Sequence, residues 1–246
     1  MNKNCLSYWF PKLQSAGVPV PRTELVVEDE IRFSMFLDGK TPPGYGSFEM
    51  KLLDAILKVG YGPTWFLRTG QGSGKHNWKN TCFLNGLSEL KQHVANLVEW
   101  SELVDFRGLP YDVWCVREML PVDPVATLPI YGDMPLVKEV RAFIRDGQVI
   151  CSHPYWPRRA IGEGFDNVNE LLIDDLYVGT SSLMPDEVAD TIQLIESVAD
   201  AFAGDGSWSV DILKTRRGWY VTDMAIASRS FHWEDCEIKS QFTERE

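Results

Sequence analysis

The chain has 246 residues, 44% of them hydrophobic and 24% charged, which is enough to bury a sizeable core and too apolar for a disordered tail. Lys and Arg total 24 against 35 Asp and Glu, and the resulting formal charge of -11 repels polyanions and disfavours nucleic acid as a partner. The cysteines Cys5, Cys82, Cys115, Cys151 and Cys236 are odd in number and form no CxxC, against a disulfide framework or a cysteine zinc site; no apolar run reaches membrane-span length and the N-terminus lacks a long apolar core, so the expected location is cytoplasmic.

In chain order, a short amphipathic lead runs through the turn-rich Val18-Pro19-Val20-Pro21 into an expected strand, Thr23 to Val27, and a second one, Arg32 to Leu37. A helix is expected over Ser47 to Val59, with Leu52, Leu53, Ile56 and Leu57 on one face, stopped by Gly60 to Pro63. Then come a strand, Thr64 to Arg68, a Gly-rich loop, a helix from Ser88 to Val104 and a strand from Val113 to Met119. The stretch Pro121 to Pro135 reads as a hinge and loop between two mixed halves.

The second half opens with strands Leu136 to Arg145 and Gln148 to Trp156, joined by Asp146-Gly147, a dipeptide suited to a tight hairpin turn. A helix from Asp186 to Ala203 carries Val188, Ile192, Ile195, Ala199 and Phe202 at the spacing of one buried stripe. The last hairpin pairs Trp208 to Leu213 with Gly218 to Ala225 through Lys214-Thr215-Arg216-Arg217. Trp9, Trp65, Trp114, Trp208 and Trp219 read as packing residues.

Three constellations could carry chemistry. In Arg68-Thr-Gly70-Gln-Gly72-Ser-Gly74-Lys75-His76-Asn-Trp78-Lys79, glycines would let amides approach phosphate oxygens while cations neutralise charge; a mobile surface loop is the plainer reading. Neither the Walker loop nor the dinucleotide fingerprint fits it, since Thr69, Lys75 and His76 stand where those motifs need other residues. Asp211 and Asp223 sit in apolar strand sequence, where a carboxylate needs a positive partner: magnesium shared with phosphates, or a salt bridge to Arg141 or Lys138. In Lys138-Glu139-Val140-Arg141, alternation points Glu139 and Arg141 the same way, Arg141 as a fork for phosphate or carboxylate or as a cross-strand ion pair. The histidines His76, His93, His153 and His232 show no metal-ligand spacing, and only His76 lies among candidate phosphate groups.

In this order, strand with Gly-rich loop, hinge strand ending in an acidic residue and Leu, Glu-x-Arg strand and carboxylate-bearing hairpin, the sequence from Thr64 to Asp223 resembles the ATP-grasp superfamily. The resemblance implies an α+β, ATP-grasp fold of two α+β subdomains, residues 1–120 and 121–246, with the nucleotide site between them, and ATP and Mg2+ as cofactors. Asp211 and Asp223 keep the family's twelve-residue spacing of metal carboxylates, whereas the Asn expected two positions later is Ala225. Val116-Arg117-Glu118-Met119-Leu120 is similar to the adenine hinge, which adds Glu118, Leu120 and a ribose-side Asp123 to the ATP-binding set of Arg68, Gly72, Gly74, Lys75, His76 and Lys79. Arg68 in place of the usual strand lysine resembles a minor, phage-type branch related to the cell-division-cycle chaperones that assemble a translation initiation factor.

By resemblance the expected reaction is that of an ATP-dependent ligase, with Arg141 and Lys75 as catalytic cations and Glu139, Arg141 and Arg229 meeting a carboxylate substrate, a peptide or protein among the candidates. The segments Trp156 to Arg159, Gly162 to Asp175 and Ser228 to Trp233 are candidate recognition elements. Two other readings stay open: an ATP-binding assembly chaperone without turnover, for which Ala225 speaks, and a nucleic-acid end-joining or modifying enzyme, kept alive by Arg158 and Arg159.

Overall fold

The computed structural model describes residues 2–60, 62–104 and 108–242, without the side chain of Gln241. The elements in chain order are α1 (Leu6–Ser15), β1 (Thr23–Val27), α2 (Tyr45–Val59), β2 (Trp65–Thr69), β3 (Phe83–Leu84), α3 (Leu90–Leu103), β4 (Val113–Glu118), β5 (Ala126–Leu128), β6 (Met134–Leu136), β7 (Glu139–Arg145), β8 (Gln148–Pro154), α4 (Arg158–Glu163), α5 (Glu170–Ser181), α6 (Pro185–Ala201), β9 (Ser207–Thr215) and β10 (Gly218–Ile226). They form two compact units, one of residues 21–120 and 127–134, the other of 1–20, 121–126 and 135–246. Among the described residues no helix is long and apolar enough to cross a membrane.

In the first unit the sheet order is β1-β4-β2-β3, every pair antiparallel. Trp65 and Leu67 of β2, Trp114 and Val116 of β4 and Val26 of β1 form one core with α2 and α3. Strand alternation leaves Phe66, Arg68, Cys115 and Arg117 on the opposite face. Residues 32–37, expected as a strand, instead form a 3-10 turn, Phe33–Asp38. The burial of one ring decides this, for Phe33 packs against Phe48 and Trp114 at centroid distances of 4.8 and 5.3 Å. On α2 the buried face is Phe48, Leu52, Ala55, Ile56 and Val59, so the expected stripe is turned and Leu57 faces solvent.

The second unit holds a sheet of order β10-β9-β7-β8, also antiparallel throughout. Asp146 and Gly147, with φ of 48° and 86°, make the tight turn between β7 and β8 that the sequence predicts. One sheet face is apolar: Val140, Ala142 and Ile144 pair with Ile212, Val210 and Trp208. Tyr8 of α1 and Phe202, which caps α6, both pack on Trp208, at 5.8 and 5.1 Å. On α6 the buried residues are Thr191, Leu194, Ile195, Val198 and Ala199, while Val188 and Ile192 of the expected stripe are exposed.

Candidate functional site

The other face of the second unit's sheet is polar, and a single row crosses all four strands. Arg141 of β7 is the direct partner of His153 on β8 and of Asp211 on β9, and Asp211 is the partner of Asp223 on β10. Direct antiparallel partners project to the same side, so these four side chains share a face. The Arg141 fork grips Asp211, Nε to Oδ1 at 2.7 Å and Nη2 to Oδ2 at 2.9 Å. Its Nη1 donates to the Phe231 carbonyl at 3.3 Å, and the guanidinium lies over the Tyr155 ring at 4.6 Å. Burial works to lower the Arg141 pKa, but the charge and hydrogen bonds of Asp211 raise it well above the usual arginine value, so the cation is fixed.

A bulge aligns the two carboxylates. From Gly218 to Val221 the strands pair regularly, Val221 against Ile212; the register then shifts, and Asp223 rather than Thr222 lies opposite Asp211. Asp211 is buried and Asp223 half-buried, with Asp223 Oδ1 accepting from the Met224 amide at 3.0 Å. Glu139, two residues before Arg141 and buried, adds negative charge near the same guanidinium.

Other predicted residues lie elsewhere. Lys138, offered as a partner for Asp211, pairs instead with Glu187 of α6 at 2.9 Å, because alternation turns it to the helix side. Asp123 pairs with Arg216 at the hairpin turn, both exposed. Arg229, itself exposed, ends the 3-10 turn Ala227–Arg229, which begins at the buried Ala227. The segment Gly162 to Asp175 spans the end of α4, residues 164–169 outside any helix and the start of α5. Arg158 is bound there by Glu170 and Asp174 of α5, and Arg159 by Glu163.

In the first unit the glycine loop is a packed turn. Thr69 Oγ1 accepts from the amides of Gln71 and Gly72, and the Gly70 amide donates to Val113 O. Those amides are therefore committed within the protein. A Cβ on Gly72 would stand 2.4 Å from the Trp100 ring, and one on Gly74, whose φ is +61°, 3.2 Å from it. The indole alone accounts for Gly72, and the left-handed backbone with Thr81 and Trp100 alongside accounts for Gly74. Lys75 opens the 3-10 turn Lys75–Asn80, His76 stacks on Tyr131 at 4.5 Å, and Lys79 is ion-paired with Asp133.

Arg68 and Arg117 lie on the face away from the helices, at 2% and 3% exposure, on neighbouring strands. Arg117 is absent from the sequence-derived set, because within Val-Trp-Cys-Val-Arg-Glu it sits in a strand that is buried throughout. Glu118 pairs with Arg22 and accepts its backbone amide, which leaves the hinge reading to main-chain groups; Leu120, next but one, is buried.

No family model matches the chain, and no curated protein does. Solved structures match. Cdc123 from Schizosaccharomyces pombe superposes with a TM-score of 0.52 at 12% identity, over 91% of this chain and 85% of that one. For D-alanine--D-alanine ligase from Bacillus anthracis complexed with ATP the TM-score is 0.51 at 10% identity, over 93% and 57%. A RimK domain ATP-grasp protein from Sphaerobacter thermophilus gives 0.46 at 11% identity, over 89% and 57%. The chain thus spans 57% of the length of each of the last two.

Proposed function

From the ATP-grasp fold as premise, we propose that the chain binds ATP with magnesium and transfers the γ-phosphoryl group to a substrate carboxylate. A carboxylate oxygen attacks the γ-phosphorus and ADP leaves; an amine or other nucleophile then attacks the acyl phosphate and expels phosphate.

The observation that carries this reading is the pair of facing carboxylates on the polar face of the second unit. Asp211 is gripped by Arg141 and is faced by Asp223 from the next strand, with Glu139 acting on the same guanidinium. Facing carboxylates are hard oxygen donors of the kind magnesium takes, and Asp211 and Asp223 would hold it through lone pairs beyond those given to Arg141 and the Met224 amide. When bound, the ion supplies charge for the phosphate oxygens as transfer proceeds. Arg141 orients Asp211 and stays cationic beside it, and the resemblance assigns Arg68, Lys75 and Lys79 to the charge of the triphosphate. Glu139 and Arg229 are assigned to the substrate side.

Calorimetric titration of ATP with and without magnesium, on the native chain and on Asp223→Asn, tests the proposal. Binding that requires magnesium and weakens in the variant supports it. No binding, or binding indifferent to both changes, overturns it. A second reading, ATP held without turnover, is favoured by Ala225, which stands opposite Ser209 two residues past Asp223 and offers no side-chain ligand. It predicts the same titration with no ADP formed.

A further inference from the structure

Beside Arg141, beginning with its direct partner His153, lie four side chains that the reaction above does not use. Cys151 and His153 project from the edge strand β8, one residue between them, so the pleat turns both to one side. His232 and Cys236 follow β10, with three residues between them. Their ligand atoms all lie within 4.8 Å of one another. Cys151 Sγ stands 3.3 Å from His232 Nε2. In a tetrahedral zinc site the sulfur-to-nitrogen edge is roughly 3.6 Å, given Zn–S near 2.3 Å and Zn–N near 2.0–2.1 Å.

The histidine settings point to the same centre. The Nδ1 of His232 is 3.2 Å from the Trp233 carbonyl, and donating to it puts the lone pair on Nε2, the atom turned toward Cys151. His153 Nε2 is buried and has no hydrogen-bond partner among the described residues. Two soft thiolates and two imidazoles are a zinc-type donor set, and two thiolate charges neutralise a divalent ion within a shell that includes Phe143 and Phe242.

We propose that Cys151, His153, His232 and Cys236 form a structural site for a divalent zinc-type ion. It clasps the segment after β10 to the sheet's edge strand. Trp233 braces the clasp, its Nε1 donating to the Pro154 carbonyl at 3.1 Å. The consequence reaches Arg141, because Phe231, whose carbonyl takes Arg141 Nη1, immediately precedes His232. The absence of CxxC hides this site from the sequence; the fold joins one Cys-x-His pair to one His-x3-Cys pair instead.

The full chain, purified under reducing conditions without chelator, is assayed for metal and then, after metal removal, titrated with Co2+ alone. About one zinc per chain is expected, together with cobalt absorption bands of a tetrahedral, thiolate-ligated ion that Zn2+ abolishes. Cys236→Ser and His153→Gln lose both signals, whereas Asp223→Asn keeps them, which separates this site from the proposed magnesium site. A reduced chain that retains no zinc and gives no such cobalt bands overturns the proposal without reliance on any variant. So does a Cys151–Cys236 disulfide, found by mass mapping, whose reduction leaves a chain unable to bind either metal.

Discussion

Arg141 and Asp211 are direct partners on adjacent strands, and the guanidinium holds both oxygens of the carboxylate. At side-chain exposures of 15% and 10% the pair is largely out of water, so its Coulomb energy and its desolvation cost nearly offset each other. Removing one member leaves the other buried and unmatched. Arg141→Leu should cost about 3–5 kcal/mol of unfolding free energy in urea denaturation. Magnesium should restore part of that loss, because the variant leaves Asp211 without the Arg141 cation, opposite a second carboxylate, Asp223. A loss below about 1 kcal/mol would show that the row is far more hydrated than its burial indicates.

Asp223 is only half-buried, and its substitution should divide binding from stability. In Asp223→Asn the folding free energy should change by no more than about 1 kcal/mol, while ATP affinity in magnesium falls by about tenfold or more. Equal ATP affinity in the two proteins would remove Asp223 from the metal site.

Gly72 is held against Trp100, not kept open for a ligand. Gly72→Ala should destabilise by about 1–3 kcal/mol through overpacking. In a Trp100→Phe background, where the outer indole ring is gone, the same substitution should cost clearly less. A thermal-melt cycle of the four proteins measures that coupling, and simple additivity would refute the contact as the cause.

Asp205 links α1 to the body of its unit. Its carboxylate accepts from Lys12 at 2.6 Å, Lys3 at 2.6 Å and Tyr8 at 2.9 Å. Burial pushes its pKa up, but the hydrogen bonds from Lys12, Lys3 and Tyr8 outweigh that and hold it below the ordinary value. For a depressed folded pKa, the linked stability is complete above the unfolded value of about 3.9 and is lost as pH falls through the folded one. Asp205→Asn should therefore cost about 1 kcal/mol near neutrality, limited by solvent around the lysines, and nothing in acid. Urea unfolding of both proteins across pH tests this; a gap that persists at low pH would contradict the linkage.

The nucleic-acid reading loses its basic patch, since both Arg158 and Arg159 are ion-paired. Fluorescence anisotropy with a labelled oligonucleotide should show no salt-sensitive binding. Affinity that falls steeply with salt would revive that reading.

The parts of the fold legible in the sequence are those with a strong local rule. Asp146-Gly147 fixes a turn by its dihedrals, and the Asp211–Asp223 hairpin shows as two apolar runs. Helix α5 escapes notice because Leu171, Leu172 and Val178 are exposed, which blurs its periodicity, although Asn169 caps it by accepting from the Leu171 amide. The glycine loop is ambiguous for another reason: a glycine required by a distant indole and one required by a phosphate have the same sequence signature. Arg117 and the Cys151 cluster depend on strand pairing and on residues far along the chain, which no local pattern carries.

The bulge before Asp223 has a counting consequence. Across the two-residue turn at Arg216 and Arg217, facing residues are an odd number apart, as are Thr215 and Gly218 or Ile212 and Val221. Asp211 and Asp223 stand an even twelve apart, so they can face each other only because one residue, Thr222, is left over. The hairpin thus obeys a parity rule. A single insertion or deletion at the turn that kept the ladder in step would send Asp223 to the helix-covered side of the sheet. Compensated length changes, or changes of two, would leave the carboxylates on the polar face.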